Sequence, residues 1–305
     1  MELRHLRYFM AVAEEQSVTR AAARLNIAQP ALSHQIKALE TEIGAALFVR
    51  FSRGVALTEP GRFFAEDARA ILASVEAAKT KARRTAVGQL GLVRIGFTGS
   101  ASFHPFVTGV IRDFRAAFPD VTVELIEEPT RGLLDGLASR RVDVAFMRPA
   151  AGEVEQLWSR HLFDEPMVAA VPVGHHLAEA RSLRLSALAA ETFIIYPRQN
   201  GRTLYDIIVS ACEAAGFAPR IGQAAPQLTS VVNLVATGIA LAIVPRSMSR
   251  MATADVRFVA IEDESLVAPM VLVREEAPRT TPAKNFTELC MTRLSETLRA
   301  DIGRG

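Results

Sequence analysis

The stretch Ser17-Val18-Thr19-Arg20-Ala21-Ala22-Ala23-Arg24-Leu25-Asn26-Ile27-Ala28-Gln29-Pro30-Ala31-Leu32-Ser33-His34-Gln35-Ile36-Lys37 decides how the N-terminal part of this chain folds. Ser17 suits a helix N-cap, because its hydroxyl can accept from a backbone N–H that the first turn leaves orphaned. The alanines that follow let a second helix approach closely, and Asn26-Ile27 make a tight turn. Gln29-Pro30 then opens another helix, since the N–H that proline lacks has no partner in a first turn anyway. The segment reads as helix, turn, helix.

Working outward, apolar residues recur at helical spacing from Leu3 to about Glu42 in three short runs, so the pair belongs to a helical trio. Beyond it, Leu47-Phe48-Val49-Arg50 and Val55-Ala56-Leu57 are short apolar strands around Ser52-Arg53-Gly54, a wing with a basic tip. Thr58-Glu59-Pro60 opens a long helix in which Phe64, Ala68, Ile71, Val75, Ala78 and Ala82 alternate steps of four and three. That is a coiled-coil seam, and a stripe so narrow calls for a partner. The simplest partner is the same helix of a second copy; the alternative is packing on the helix's own domain.

From Gly91 the pattern changes to apolar runs of strand length separated by amphipathic helices. Strands are expected at 92–97, 121–126, 142–146, 167–173, 192–196, 220–224, 239–244, 256–261 and 270–274, with helices at 102–117, 131–139, 203–215, 227–237 and 281–300. Such alternation predicts an α/β fold with mostly parallel sheets. So many strands imply two sheets, with 163–166 and 268–269 as the crossings between them.

Composition fits this plan. With 50% hydrophobic and 22% charged residues, the 305-residue chain can bury two or three cores. It shows neither a signal peptide nor an apolar run near the roughly 20 residues of a membrane helix, so a cytoplasmic protein away from membranes is expected. Cys212 and Cys290 lie apart, without metal-ligand spacing, and read as small buried hydrophobes. Through Thr58, seven basic residues (Arg4, Arg7, Arg20, Arg24, Lys37, Arg50, Arg53) face five acids (Glu2, Glu14, Glu15, Glu40, Glu42), a weak nucleic-acid signal.

Motifs in order along the chain add a family likeness. Met1-Glu2-Leu3-Arg4-His5-Leu6-Arg7-Tyr8-Phe9, Arg20-Ala21-Ala22-Ala23-Arg24-Leu25, Ala28-Gln29-Pro30-Ala31-Leu32-Ser33, Leu39-Glu40, Gly44, Leu47-Phe48 and Leu57-Thr58-Glu59-Pro60-Gly61 together resemble the DNA-binding domain of the LysR family of bacterial regulators. The resemblance covers the whole chain. It implies a winged helix-turn-helix over 1–58, a linker dimerisation helix over 59–88, and a two-lobed, periplasmic-binding-protein-like α/β effector domain over 89–305. Lobe I would hold about 89–163 and 269–305, and lobe II about 164–268. It further implies a homodimer joined through Phe64, Ala68, Ile71, Val75 and Ala78, commonly a dimer of dimers on double-stranded promoter DNA, with RNA polymerase as a further candidate partner. In the C-terminal half, Tyr196-Pro197-Arg198-Gln199-Asn200-Gly201-Arg202-Thr203, Ala224-Ala225-Pro226-Gln227 and Ile243-Val244-Pro245-Arg246-Ser247 look most like regulators of benzoate, catechol and chlorocatechol catabolism.

A helix set in the major groove offers its N-terminal side chains to base edges, so Gln29, Pro30, Ser33, His34 and Lys37 are candidate DNA-binding residues, with Arg50 and Arg53 near the wing. Many relatives carry arginine where this chain has His34, and one imidazole cannot reproduce arginine's two parallel hydrogen bonds to guanine. In two-lobed α/β folds a ligand lies between the lobes, beyond the carboxyl ends of the strands. Thr98-Gly99-Ser100-Ala101-Ser102 follows one strand and is expected to open a helix, as Thr130 does after Glu127-Glu128-Pro129. Arg148 is expected to supply a fixed positive charge awaiting an anion. By resemblance to the catechol subgroup, Thr98, Ser100, Thr130, Arg148, Pro197, Gln199 and Asn200 would line the cleft, with Ser102 beside them, around a carboxylate-bearing effector. The plainer reading of these hydroxyls is helix capping, and the two are compatible.

Enzymatic function is not expected: His104, His161, His175 and His176 sit in no HExxH, GxSxG or Ser/His/Asp setting, and His175-His176 reads as a polar turn after Pro172-Val173-Gly174. Gly96-Phe97-Thr98-Gly99 lacks the spacing and lysine of a phosphate cradle, and Glu275-Glu276 reads as a solvated strand end, so neither cofactor nor metal is expected. An architectural DNA-binding protein indifferent to small molecules is the rival, although the α/β part is far larger than dimerisation requires.

Overall fold

The computed structural model describes residues 1–52, 54–251 and 253–302, and it divides into two compact units, Met1–Arg84 and the chain from Thr85 onward. In the first, α1 (Leu3–Glu15), α2 (Val18–Leu25) and α3 (Gln29–Ile43) form the expected trio. Their limits have local causes. Gln16 and Asn26 end α1 and α2 in left-handed conformation, Ser17 Oγ accepts from Arg20 N at 3.3 Å, and Gly44 closes α3 at φ 76°. Phe9, Val12, Ala21, Leu32, Leu39 and Leu47 fill the core between them. Complete burial of a phenylalanine such as Phe9 contributes roughly 2–3 kcal/mol.

The wing is an antiparallel hairpin of β1 (Phe48–Phe51) and β2 (Gly54–Leu57). Gly54 is required there: it holds φ 150°, and a Cβ would fall 2.6 Å from the Gln16 carbonyl oxygen. Next, α4 (Glu59–Ala86) starts where Thr58 Oγ1 accepts from Gly61 N at 3.0 Å and donates to Ala46 O at 2.7 Å.

The second unit has two lobes. Lobe I holds a sheet ordered β4 (Val121–Glu127), β3 (Gly91–Phe97), β5 (Val144–Met147), β12 (Val267–Arg274) and the first half of β6 (Trp158–Pro172). It is covered by α5 (Pro105–Ala117), α6 (Thr130–Ala138) and α9 (Thr281–Ile302), whose Phe286 meets Phe114 edge-on at 5.2 Å. In lobe II the second half of β6 pairs with β10 (Ala242–Pro245) and β11 (Val256–Ile261), and β11 pairs with β7 (Ser182–Leu183). There β8 (Thr192–Ile195) and β9 (Arg220–Ala224) run parallel, with α7 (Arg202–Ala214) and α8 (Leu228–Val235) packed on the lobe's own core.

Two expectations are corrected. The sheets are mixed, not mostly parallel, because β12 runs antiparallel to both β5 and β6, and β6 runs antiparallel to β10 and β11. At 163–166 and 268–269 β6 and β12 pass from lobe to lobe as paired strands, which satisfies backbone groups that a buried loop would orphan. The helix expected from 102 begins only at Pro105, after a 3₁₀ turn over Ala101–Phe103, with His104 Nδ1 accepting from Phe106 N as its cap.

Candidate nucleic-acid interface and ligand cleft

On the first unit, Gln29, Pro30, His34 and Lys37 are exposed along the N-terminal half of α3, and Ser33 is half-buried. Gln29 Nε2 donates to Ser33 Oγ at 2.9 Å, so the two present one polar surface. Arg50 is exposed on β1, while Arg53 lies outside the described residues. Charge pairing separates the basic residues by location. Arg4, Arg7, Arg20 and Arg24 each face a carboxylate, on Glu2, Glu76, Glu15 and Glu14, whereas Lys37, Arg50 and His34 have no ion pair among the described residues. Among the described residues of 1–58, the cations without a carboxylate partner therefore lie on α3 and the wing, the surfaces a duplex would meet. Sequence reasoning missed Glu40, whose Oε1 accepts from Leu47 N at 2.8 Å and Phe48 N at 3.1 Å and so fixes where the wing leaves α3. His5 links α1 to Gln35 of α3 at 2.8 Å.

On α4 the expected seam is split. Phe64 meets Phe9 edge-on at 4.9 Å and Ala68 is buried, both in the core of their own unit. Of the remaining positions, Ile71 and Ala78 are exposed and Val75 is half-buried. Phe63, outside the expected stripe, is 67% exposed.

In the second unit a cavity of about 240 Å³ lies between the lobes. Of the expected residues, Thr98, Ser100, Thr130, Arg148 and Asn200 line it. Gln199 instead lines a neighbouring depression with Arg131, Arg198 and Arg202. Neither Ser102 nor Pro197 reaches the cavity wall: Ser102 Oγ donates back to Gly99 O at 2.8 Å, and Pro197 O accepts from Asn200 N at 2.9 Å to form the turn that places Asn200. Because α5 starts late, the hydroxyls of 98–102 sit on a 3₁₀ turn and not at an α-helix N-terminus. Thr98 Oγ1 is buried without a hydrogen-bond partner.

Arg148 is not a free charge, contrary to the sequence reading. Its Nη2 meets Glu165 Oε2 at 2.5 Å, Nη1 donates to Ala268 O and Pro269 O, and Nε donates to Ser100 Oγ. Glu165 in turn accepts from Ser247 N, and Ser247 Oγ donates to Ser100 O. Burial pulls the guanidinium below its usual range and Glu165 opposes that shift. The anion Arg148 was expected to await is thus supplied by the chain, 17 residues further on.

What remains unanswered in the cavity is helical. The N-termini of α6 at Thr130, α7 at Arg202 and α8 at Leu228 all open beside its wall, and none is capped by a side chain. Each presents orphan N–H groups and the positive end of a helix dipole. Against them stand Glu128, held by Arg141 at 2.9 Å, and the exposed Glu127. Tyr196, on the wall, has its phenol pushed up by burial and then by Glu127, so it is a neutral hydrogen-bonding group. Sequence reasoning did not assign Tyr196, Gln227 or Thr229 to the wall; the start of an apolar helical run was the available signal at 227.

Two family models match the chain: the bacterial regulatory helix-turn-helix protein, lysR family, over residues 3–62, and the LysR substrate binding domain over 87–295. Among relatives, it is 39% identical to the uncharacterized HTH-type transcriptional regulator YnfL of Escherichia coli K12, over 94% of this chain and 96% of that one. It is 34% identical to the HTH-type transcriptional regulator CatR of Pseudomonas putida, over 97% and 99%. Among solved structures, full-length CbnR in complex with its target DNA matches with TM-score 0.84 and 27% identity, over 96% of this chain and all of that one. With both modules matched in order along one chain, the protein belongs to the LysR family and is a DNA-binding transcriptional regulator with an effector-binding domain.

Proposed function

We propose that this regulator responds to a small carboxylate-bearing effector bound between the lobes, held by the N-termini of α6, α7 and α8 with Thr98, Thr130 and Asn200. The observation that carries the proposal is the convergence of three helix starts without side-chain caps on one cavity, since each such terminus favours an anion by about 0.3–1 kcal/mol, more where partly buried. Arg148 contributes indirectly: bound to Glu165, Ser100 and the β12 carbonyls, it fixes the cavity floor. Aromatic-catabolism acids are the first effectors to test, given the likeness of 196–203 and 224–227.

In this reading 1–58 binds promoter DNA in the cytoplasm through Gln29, Pro30, Ser33, His34, Lys37, Arg50 and Arg53. The helix over 59–88 joins two copies through its outward positions, 89–305 senses the effector, and two dimers assemble on the promoter with RNA polymerase as a further partner. A thermal-shift screen of benzoate, muconate, chlorinated analogues and neutral amides tests the effector. A carboxylate should raise the melting temperature by mass action, and Thr130→Val should abolish the rise. Amides acting as well as the acids would remove the anion argument, and a shift that survives Thr130→Val would remove the Thr130 hydroxyl from the site.

A further inference from the structure

His175 and His176 follow the end of β6, and Glu191 directly precedes β8; the fold of lobe II brings these distant segments together. One ligand-type atom from each lies within 4.8 Å of the others. His175 Nε2 is 3.3 Å from Glu191 Oε2, and His176 Nε2 is 3.9 Å from Glu191 Oε1. The two imidazoles therefore address different oxygens of one carboxylate. The second distance is beyond hydrogen-bonding reach, so a hydrogen bond does not account for the placement of His176.

We propose that His175, His176 and Glu191 form a binding site for a borderline transition-metal dication such as zinc. Two imidazole nitrogens and a carboxylate oxygen are the donor set that suits zinc, nickel or copper and not magnesium or calcium. Bonds of about 2.0 Å in tetrahedral geometry place ligand atoms about 3.3 Å apart. The first pair already has that separation; the second distance runs to the other carboxylate oxygen, so His176, whose side chain is 69% exposed, must turn to share the same centre, starting from ligand atoms that all lie within 4.8 Å of one another. Metal on His175 Nε2 moves the ring proton to Nδ1, at the cost of the long 3.4 Å hydrogen bond from Leu177 N. Three protein ligands leave a coordination position for water. The ion ties the loop after β6 to the start of β8, the strand that leads into Tyr196 and Asn200 of the cavity wall.

The test is calorimetric titration of chelator-treated, full-length protein with Zn²⁺, comparing wild type with His176→Ala, Glu191→Gln and His161→Ala. His161 is an exposed imidazole paired with Asp164 elsewhere on β6 and serves as the control. Wild type and the control should bind one zinc per chain with equal affinity, and both site variants should bind about 10-fold more weakly or worse, since even outer-shell changes cost that much. Because His176 is largely exposed, His176→Ala remains folded and decides the question even if Glu191→Gln does not. No saturable zinc uptake by wild type, or uptake by His176→Ala equal to wild type, overturns the site.

Discussion

Arg148 shows how one residue changes meaning once its surroundings are known. Buried with Glu165 and using its guanidinium on Ser100, Ala268 and Pro269, it acts as a fastener where β5, β6 and β12 meet. Removing one member of a buried pair leaves the other uncompensated, so Arg148→Met should destabilise the protein by about 3–5 kcal/mol in urea unfolding, and adding Glu165→Leu should recover much of that loss. A loss under about 1 kcal/mol for the single change would mean the pair is solvated. Lys37 belongs to the opposite class, an exposed cation with no carboxylate partner among the described residues. Lys37→Ala should weaken binding to promoter and random duplex alike and lower the slope of log affinity against log salt by about 1, read by fluorescence anisotropy. His34→Arg should instead change which promoter is preferred, because arginine adds a two-bond guanine contact.

Among elements, α4 is buried at its start and exposed further along, where the proposed second copy would pack. Phe64 and Ala68 hold it against α1, so Phe64→Ala should cost roughly 2 kcal/mol of unfolding stability in a protein that still associates. Ile71 is 41% exposed and should behave in the reverse manner, with Ile71→Glu leaving stability nearly intact while sedimentation shows dissociation. Equal effects of the two changes on association would mean the seam runs the helix's whole length. In α7 and α9, burial pushes the Cys212 thiol up to about 11 and the Cys290 thiol up to about 12, from 9.0. The native state thus keeps protons that the unfolded state loses. Their stabilising contribution is complete below about pH 9 and is lost as pH rises through 11 to 12. Cys290→Ala should flatten that alkaline fall in stability, and both thiols should resist labelling at neutral pH until the chain unfolds.

For the whole molecule, the effector and the promoter are linked by reciprocity. If a carboxylate changes promoter affinity by some factor, promoter DNA must change carboxylate affinity by the same factor, which titrations with and without duplex will compare. The order of elements along the chain was legible beforehand, from the capped Ser17, the turn at Asn26, the wing and the βα alternation, because caps and apolar period act within a turn or two of the residue that carries them. Helix starts at Thr130 and near Arg202 were legible from the apolar period, and with them the placing of Thr130 and Asn200 on the cavity wall. Strand direction was not: an apolar run looks alike whether its neighbour is parallel or antiparallel, so the continuous crossing of β6 and β12 stayed hidden. Nor could local pattern show that Glu165 neutralises Arg148, that Phe64 is consumed by α1, or that Glu191 meets His175 and His176. Those pairings join residues well separated along the chain, and they arise when sheets and helices pack, a step that no single segment encodes.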